Sequence, residues 1–190
     1  KIEPTKYHCE SSTLKSRQRW YQRHQLFNQT IPPSLMPWLF DTSSLTARLI
    51  DLCGKDFTVK VISQQWQIID SEEAVAMSLQ GERAALVRQV LLCCADKPLV
   101  YARTVIPKIT VQGAQRRYAN MGNRPLGAML FSDRTMKREA VQVAQLPASH
   151  QANKYTESDI PVWGRRSVFR VSGRPLMVSE YFLPELVGNS

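Results

Sequence analysis

The sequence predicts an α+β fold built on an antiparallel sheet of about six strands, with helices grouped apart from the strands. Three observations carry this prediction. Runs of strand length that are rich in Val, Ile and aromatic residues recur along the chain. Two turn signals, Asp96-Lys97-Pro98 and Ser172-Gly173-Arg174-Pro175, join neighbouring runs into hairpins. Strands and helices do not alternate as they do in parallel βαβ folds, so the antiparallel class is favoured.

The first 30 residues form a polar, basic segment with weak patterning. Helical spacing is visible only around Leu14–Phe27, and basic residues outnumber acidic ones. We therefore expect residues 1–30 to be a basic extension that is partly helical or disordered. Residues 31–187 are expected to form one folded domain.

A pair of helices opens this domain. The second helix is predicted to begin near Leu45 and to stop at Gly54, because leucines recur at helical spacing and a glycine favours termination. Three residues before it are candidates for its cap: Asp41, Thr42 and Ser43.

The rest of the domain is predicted to be mainly strands. Their expected bounds are Phe57–Ile69, Ala84–Cys94, Leu99–Ile106, Arg134–Gln145, Val162–Val171 and Leu176–Leu183. Thr110–Met121 predicts a helix, Pro125–Phe131 is a short apolar segment, and Pro147–Asp159 reads as a loop.

The chain is basic, with a net charge of +9 and a pI of about 9.7. Such a balance is compatible with nucleic acid, an acidic membrane surface or a small polyanion. Arg48 is the only basic residue of the second helix, which argues against reading of the DNA major groove. No run approaches the roughly 20 apolar residues of a membrane span. We expect a cytoplasmic protein that binds no nucleic acid.

Cysteine and histidine usage predicts no metal site. The four cysteines and three histidines lack the spacing of metal ligands. Cys93 and Cys94 are neighbours on a predicted strand and point to opposite faces, so they are unsuited to a disulfide with each other. We expect reduced, mostly buried thiols, as in cytoplasmic proteins.

Two charged residues stand on strand faces that are otherwise apolar. Arg88 lies between Leu86 and Val90 on one face of its strand, and Glu180 interrupts the apolar face of the last strand. A buried charge is costly unless it is paired or bound to a ligand. The two residues either reach solvent or pair with each other, or they line a closed pocket. In a pocket, Arg88 would hold a ligand carboxylate and Glu180 would accept a hydrogen bond from a hydroxyl.

Further arginines crowd the same hairpins, and they either line the pocket or face solvent: Arg103, Arg165, Arg166, Arg170 and Arg174.

Five segments of the chain stand out in order: SLTARL (Ser44–Leu49), VRQVLLCCADKPLVYARTVIP (Val87–Pro107), RPLGAMLF (Arg124–Phe131), WGRRS (Trp163–Ser167) and SGRPLMVSEYFLP (Ser172–Pro184). Together, and in this order, they resemble the chorismate pyruvate-lyase family of ubiquinone biosynthesis. The resemblance implies a six-stranded antiparallel sheet with helices covering one face of an enclosed site. It implies cleavage of chorismate to 4-hydroxybenzoate and pyruvate, the first committed step toward the ubiquinone ring. No metal or organic cofactor is implied, and the enzyme is expected to act as a monomer.

The resemblance also implies roles for individual residues. Arg88 matches the arginine that holds the ring carboxylate, and Glu180 matches the glutamate that faces the ring hydroxyl. Leu45 and Leu126 match positions whose backbone N–H groups reach the carboxylate. The best-known members have methionine in place of Leu45, and a backbone contact tolerates that change. Arg103 is a further candidate, for neutralising the departing enolpyruvyl group.

The same sheet resembles the effector-sensing domains of winged-helix repressors of the GntR type. This alternative makes the chain a non-catalytic module that binds a small molecule. Such repressors need a DNA-binding domain of roughly 70 residues before the sensor, and about 30 residues precede the helical pair here. The presence of both Arg88 and Glu180 also favours the enzyme.

Overall fold

The computed structural model describes residues 18–26, 30–81, 83–122, 124–156, 158 and 160–187. Its strands are β1 (Tyr21–Gln22), β2 (Phe57–Ile68), β3 (Ala84–Cys94), β4 (Lys97–Pro107), β5 (Lys137–Arg138), β6 (Gln142–Gln145), β7 (Trp163–Val171) and β8 (Arg174–Phe182). Its α-helices are α1 (Met36–Leu39), α2 (Leu45–Cys53), α3 (Ser71–Ala76), α4 (Leu126–Phe131) and α5 (Pro184–Val187).

The described strands form one antiparallel sheet in the order β1-β6-β7-β8-β4-β3-β2, with β5 also paired to β7. The predicted α+β class with an antiparallel sheet is confirmed. The sheet has eight strands instead of six for two reasons. The run predicted as Arg134–Gln145 is divided into β5 and β6, which pair with successive parts of β7. The second reason is β1, in the segment predicted to be an extension.

The described part of that extension belongs to the sheet. Tyr21 pairs with Val143 on β6, and the ring of Trp20 lies 6.4 Å from the ring of Tyr181. Residues 23–25 form a short 3-10 helix, so residues 18–26 contain no α-helix. Residues 1–17 and 27–29 lie outside the described part of the chain.

The helices were predicted less well than the strands. Helix α2 is confirmed, and its cap is Ser44, whose Oγ accepts a hydrogen bond from the Ala47 amide at 3.3 Å. The helix predicted over Thr110–Met121 is wrong, because this segment contains only a 3-10 helix from Gly113 to Tyr118. Helix α3 was not predicted, although Asp70 caps it by accepting from the Glu73 amide at 2.7 Å.

Both faces of the sheet are covered. The α2 face, on which Val90, Ala102 and Phe182 lie, packs against α1 and α2. The α3 face, on which Val87 and Val105 lie, packs against α3. Helices therefore cover more than the one face that the family resemblance implied, and α3 is the addition.

A disulfide overturns the expectation of reduced thiols. Cys53, the last residue of α2, is bonded to Cys94, the last residue of β3, with their Cα atoms 5.6 Å apart. The two residues are 41 positions apart in sequence, so only the fold shows that they are neighbours. Cys93 is free and buried, and Cys9 lies outside the described residues.

We expect Cys53→Ser to lower the free energy of unfolding by about 2–4 kcal/mol, because the crosslink no longer restricts the unfolded chain. Urea unfolding followed by circular dichroism measures this, and a reductant should reproduce the loss in the wild type. Cys93→Ser, which removes a free thiol, is the control and should not abolish the effect of reductant. Equal wild-type midpoints with and without reductant would contradict the prediction.

His150 is half-buried in an aromatic cluster on the α3 face. Its ring centre lies 4.5 Å from that of Tyr181, and its Nδ1 accepts a hydrogen bond from the Ala152 amide at 3.1 Å. Burial, and next the positive charge of Arg103, lower the pKa of His150 from 6.5 to about 4. The folded protein therefore holds this ring neutral at pH values where the unfolded chain protonates it.

We expect the stability from His150 to be complete above about pH 6.5 and to be lost as the pH falls toward about 4. His150→Asn should flatten this part of the stability curve, because asparagine keeps an acceptor for the Ala152 amide but does not titrate. Thermal unfolding between pH 4 and 7 measures the slope. An identical slope in the variant would show that other groups cause it.

Candidate functional site

A cavity of about 60 Å³ lies between the α2 face of the sheet and the first turns of α2 and α4. Its volume exceeds what a single water molecule needs. Four of the residues predicted to form the site line it: Arg88, Glu180, Leu45 and Leu126. Apolar side chains of the sheet form most of the remaining floor: Val59, Val90, Leu92, Ala102, Phe169 and Val178.

Arg88 is a buried cation that has no acidic partner among the residues that the structure describes. Only 3% of the residue is exposed. Its Nη1 donates to the Gly122 carbonyl oxygen at 2.6 Å and to Gln64 Oε1 at 3.1 Å. Within the described part of the chain, no carboxylate lies at ion-pair distance from it. Burial lowers the pKa of the guanidinium, which means that its positive charge is uncompensated. The site therefore favours an anionic ligand that would neutralise this charge.

Glu180 pairs with Arg165 and not with Arg88. The two residues are opposite each other on β8 and β7, and Arg165 Nε donates to Glu180 Oε2 at 2.5 Å. The interpretation of Arg88 and Glu180 as a structural ion pair is therefore wrong. Among the described residues, none donates a hydrogen bond to Glu180 Oε1, and this oxygen is left for a ligand donor.

Arg138 supplies a third cation to the cavity wall. Its Nε donates to Ser167 Oγ and its Nη1 to the Thr42 carbonyl oxygen, both at 2.9 Å. Burial, and next repulsion by Arg165, lower its pKa. Sequence reasoning missed Arg138, because the apolar residues on its side of the predicted strand, Met136 and Ala140, are followed by polar residues in both directions.

Two helix starts form the roof of the cavity. Leu45 and Leu126 are the first residues of α2 and α4, and amides in a first helical turn have no acceptor within the helix. The helices approach closely because residue 127 is glycine: a Cβ there would lie 2.8 Å from Thr46 Oγ1. The predicted contact of the Leu45 and Leu126 amides with a carboxylate stays a prediction that this placement favours.

The structure does not bring Arg103 to the cavity. Successive residues of a strand face opposite ways, and the β4 residues at the cavity are Ala102 and Thr104. Arg103 lies on the α3 face, where its Nε and Nη2 donate to Glu73 Oε1 and Oε2 at 2.9 and 3.0 Å. The same alternation divides the WGRRS segment: Arg165 lines the cavity, and Arg166 pairs with Glu72 of α3.

The other two arginines of the hairpins also lie outside the cavity. Arg170 pairs with Glu139 at 2.7 Å, and Arg174 donates to the Gln112 carbonyl oxygen at 3.4 Å. Among the described residues, no group of His, Cys, Asp and Glu side chains could hold a metal ion. None of the described helices is long and apolar enough to cross a membrane.

The charged residues of the cavity favour a ligand with more than one negative charge. Arg88, Arg138 and Arg165 contribute three positive charges and Glu180 one negative charge, which leaves a net charge of two positive charges. The free Glu180 oxygen adds an acceptor for a hydroxyl group. The surrounding walls are largely apolar and suit a ring.

Comparison with solved structures shows the fold. The ligand-binding domain of a putative GntR-family transcriptional regulator from Bordetella bronchiseptica superposes with a TM-score of 0.53 at 15% identity, over 69% of this chain and 88% of that one. A GntR-family transcriptional regulator from Bacillus cereus gives 0.54 at 13% identity, over 69% and 94%. At this identity the likeness extends to the fold alone.

Comparison with known sequences shows the family. A protein from Methylococcus capsulatus named "Probable chorismate pyruvate-lyase" is 43% identical over 153 residues, which is 79% of this chain and 94% of the relative. A protein of the same name from Psychromonas ingrahamii is 43% identical over 160 residues, 82% of this chain and 85% of the relative. The family model described as chorismate lyase matches residues 14–189. The chain therefore belongs to the chorismate lyase family of enzymes.

Proposed function

We propose that this enzyme cleaves chorismate to 4-hydroxybenzoate and pyruvate. The observation that carries the proposal is Arg88, a cation that is 97% buried and has no carboxylate partner among the described residues. A carboxylate on the substrate would complete this site. The names of the sequence relatives support the same substrate.

The cavity residues suit the two ends of chorismate. Arg88 binds the ring carboxylate, aided by the amides of Leu45 and Leu126. Glu180 Oε1 accepts a hydrogen bond from the ring hydroxyl. Because the enolpyruvyl ether is next to that hydroxyl on the ring, a cation near Glu180 is well placed for the side-chain carboxylate. Arg138 is such a cation, and we assign it the role that the sequence had suggested for Arg103.

The reaction needs orientation and charge stabilisation. The ring carbon–oxygen bond of the enolpyruvyl ether breaks, the hydroxyl-bearing ring carbon loses a proton, and the enolpyruvyl methylene gains one. The ring becomes aromatic as 4-hydroxybenzoate, and the side chain leaves as pyruvate. Arginines fixed on the sheet stabilise charge on the departing group without reorganising. The product would then serve as the precursor of the ubiquinone ring.

One assay tests the function. The purified chain is mixed with chorismate, and 4-hydroxybenzoate and pyruvate are quantified separately. We expect both products to appear in equal amounts, and a preparation of Arg88→Met at the same concentration serves as the blank. Binding of 4-hydroxybenzoate without turnover of chorismate would overturn the proposal in favour of an effector-binding module.

A further inference from the structure

Arg165 is the most deeply buried charged residue of the cavity wall, with 1% of its surface exposed. Besides its bond to Glu180 Oε2, its Nη1 donates to the carbonyl oxygens of Trp38 and Asp41, at 2.8 and 2.5 Å. One side chain thus connects the glutamate of the sheet with the backbone that precedes α2.

Arginine side chains bind backbone carbonyls along residues 37–42, the end of α1 and the connection from α1 to α2. Arg48 Nη1 donates to the Pro37 carbonyl oxygen at 2.6 Å, and Arg138 Nη1 donates to that of Thr42. Arg165 binds the carbonyls of Trp38 and Asp41, which lie between Pro37 and Thr42 in the sequence. Ser44 and Leu45 follow directly, so the position of the connection sets where the first turn of α2 meets the cavity.

The contact with Arg165 also decides which Glu180 oxygen is free. A glutamate side chain has several rotatable bonds, and an unrestrained carboxylate would present either oxygen in many directions. Arg165 engages Oε2 and is fixed at its other end by two backbone carbonyls. Oε1 therefore has a defined direction toward the cavity.

We propose that Arg165 is a positioning residue: it directs Glu180 Oε1 at the ring hydroxyl and fixes the position of the first turn of α2 relative to that oxygen. The proposal rests on the proposed function, because it assumes a ligand with a carboxylate and a hydroxyl at opposite ends. It assigns Arg165 no contact with the substrate. Its action is through Glu180 and the α1–α2 connection.

The experiment compares the dissociation constants of 4-hydroxybenzoate and benzoate, measured by calorimetry. Benzoate keeps the carboxylate for Arg88 and lacks the hydroxyl. We expect the wild type to prefer 4-hydroxybenzoate by about tenfold to a hundredfold, the usual worth of a hydrogen bond to a charged group. In Arg165→Met this preference should fall close to one, while the affinity for benzoate changes much less.

Arg166→Met is the matched control, because Arg166 is the next residue of β7, is also buried and pairs with a glutamate on the α3 face. It should keep the preference of the wild type. If Arg165→Met does not fold, Arg165→Lys takes its place: one ammonium cannot hold Glu180 and both carbonyls, so the preference should also fall. Hydrogen exchange of residues 38–47 gives a second measurement, and it should be faster in the Arg165 variant only.

The outcomes separate this inference from the proposed function. A wild type that neither cleaves chorismate nor binds 4-hydroxybenzoate overturns both. A wild type that does both, together with an Arg165 variant that keeps the preference for 4-hydroxybenzoate, overturns the positioning role alone. Faster exchange with an unchanged preference has the same meaning, because it assigns Arg165 to stability only.

Discussion

Arg88→Met is expected to lower kcat/KM for chorismate by at least about a hundredfold to a thousandfold, as loss of a central charge-stabilising donor does in other enzymes. The same variant should be as stable as the wild type or more stable. Arg88 is buried without a carboxylate partner among the described residues. A methionine of similar length removes that uncompensated charge from the apolar surroundings of Leu86 and Val90. The Gly122 carbonyl and Gln64 lose one donor, which offsets part of the gain.

This prediction is specific because activity should fall while stability stays the same or rises. An arginine that only supports the fold would lower stability and activity together when it is replaced. Steady-state kinetics and thermal unfolding of the same preparation measure both. Arg166→Met is again the control, since it removes a buried side chain that donates to Gln142 Oε1 and pairs with Glu72 on the α3 face. This variant should lose stability while its folded molecules turn over normally. Near wild-type turnover in Arg88→Met would refute the role of Arg88.

The placement of Arg88 and Glu180 could be predicted from the sequence because strand parity is a local property. Alternation along one strand shows that a charge shares a face with apolar residues, and both residues indeed line the cavity. Parity also separates Ala102 from Arg103, but the sequence does not show which face holds the cavity. Arg103 was therefore assigned to a cavity that lies on the other side of its strand.

Contacts between distant segments could not be predicted in the same way. Arg165 donates to the carbonyl oxygens of Trp38 and Asp41, which lie 127 and 124 positions earlier in the sequence. No local pattern marks such a pair. Cys53 and Cys94 are brought together by the end of a helix and the end of a strand. Helix α3 is short, and its alanines and glutamates match neither the spacing of a long amphipathic helix nor a strand. Each of these features depends on tertiary packing.

Glu180→Gln is expected to lower kcat/KM for chorismate by about tenfold to a hundredfold, the usual worth of a hydrogen bond to a charged group. The glutamine keeps the shape of the side chain and can still accept a hydrogen bond, but it carries no charge to strengthen the bond to the ring hydroxyl. The variant also leaves Arg165 buried without its anion, which should lower the free energy of unfolding by about 3–5 kcal/mol. Activity must therefore be measured on the folded fraction.

A second substitution separates the two consequences. In the double variant Glu180→Gln/Arg165→Met neither charge is left unpaired, so we expect it to recover a large part of the lost stability. The Trp38 and Asp41 carbonyls lose their donor, which keeps the recovery incomplete. Turnover should stay low, because the double variant restores no acceptor of the required charge. Glu73→Gln, which breaks the Arg103 pair on the α3 face, should lose stability and keep turnover. Recovery of turnover together with stability in the double variant would show that Glu180 serves the fold and not the reaction.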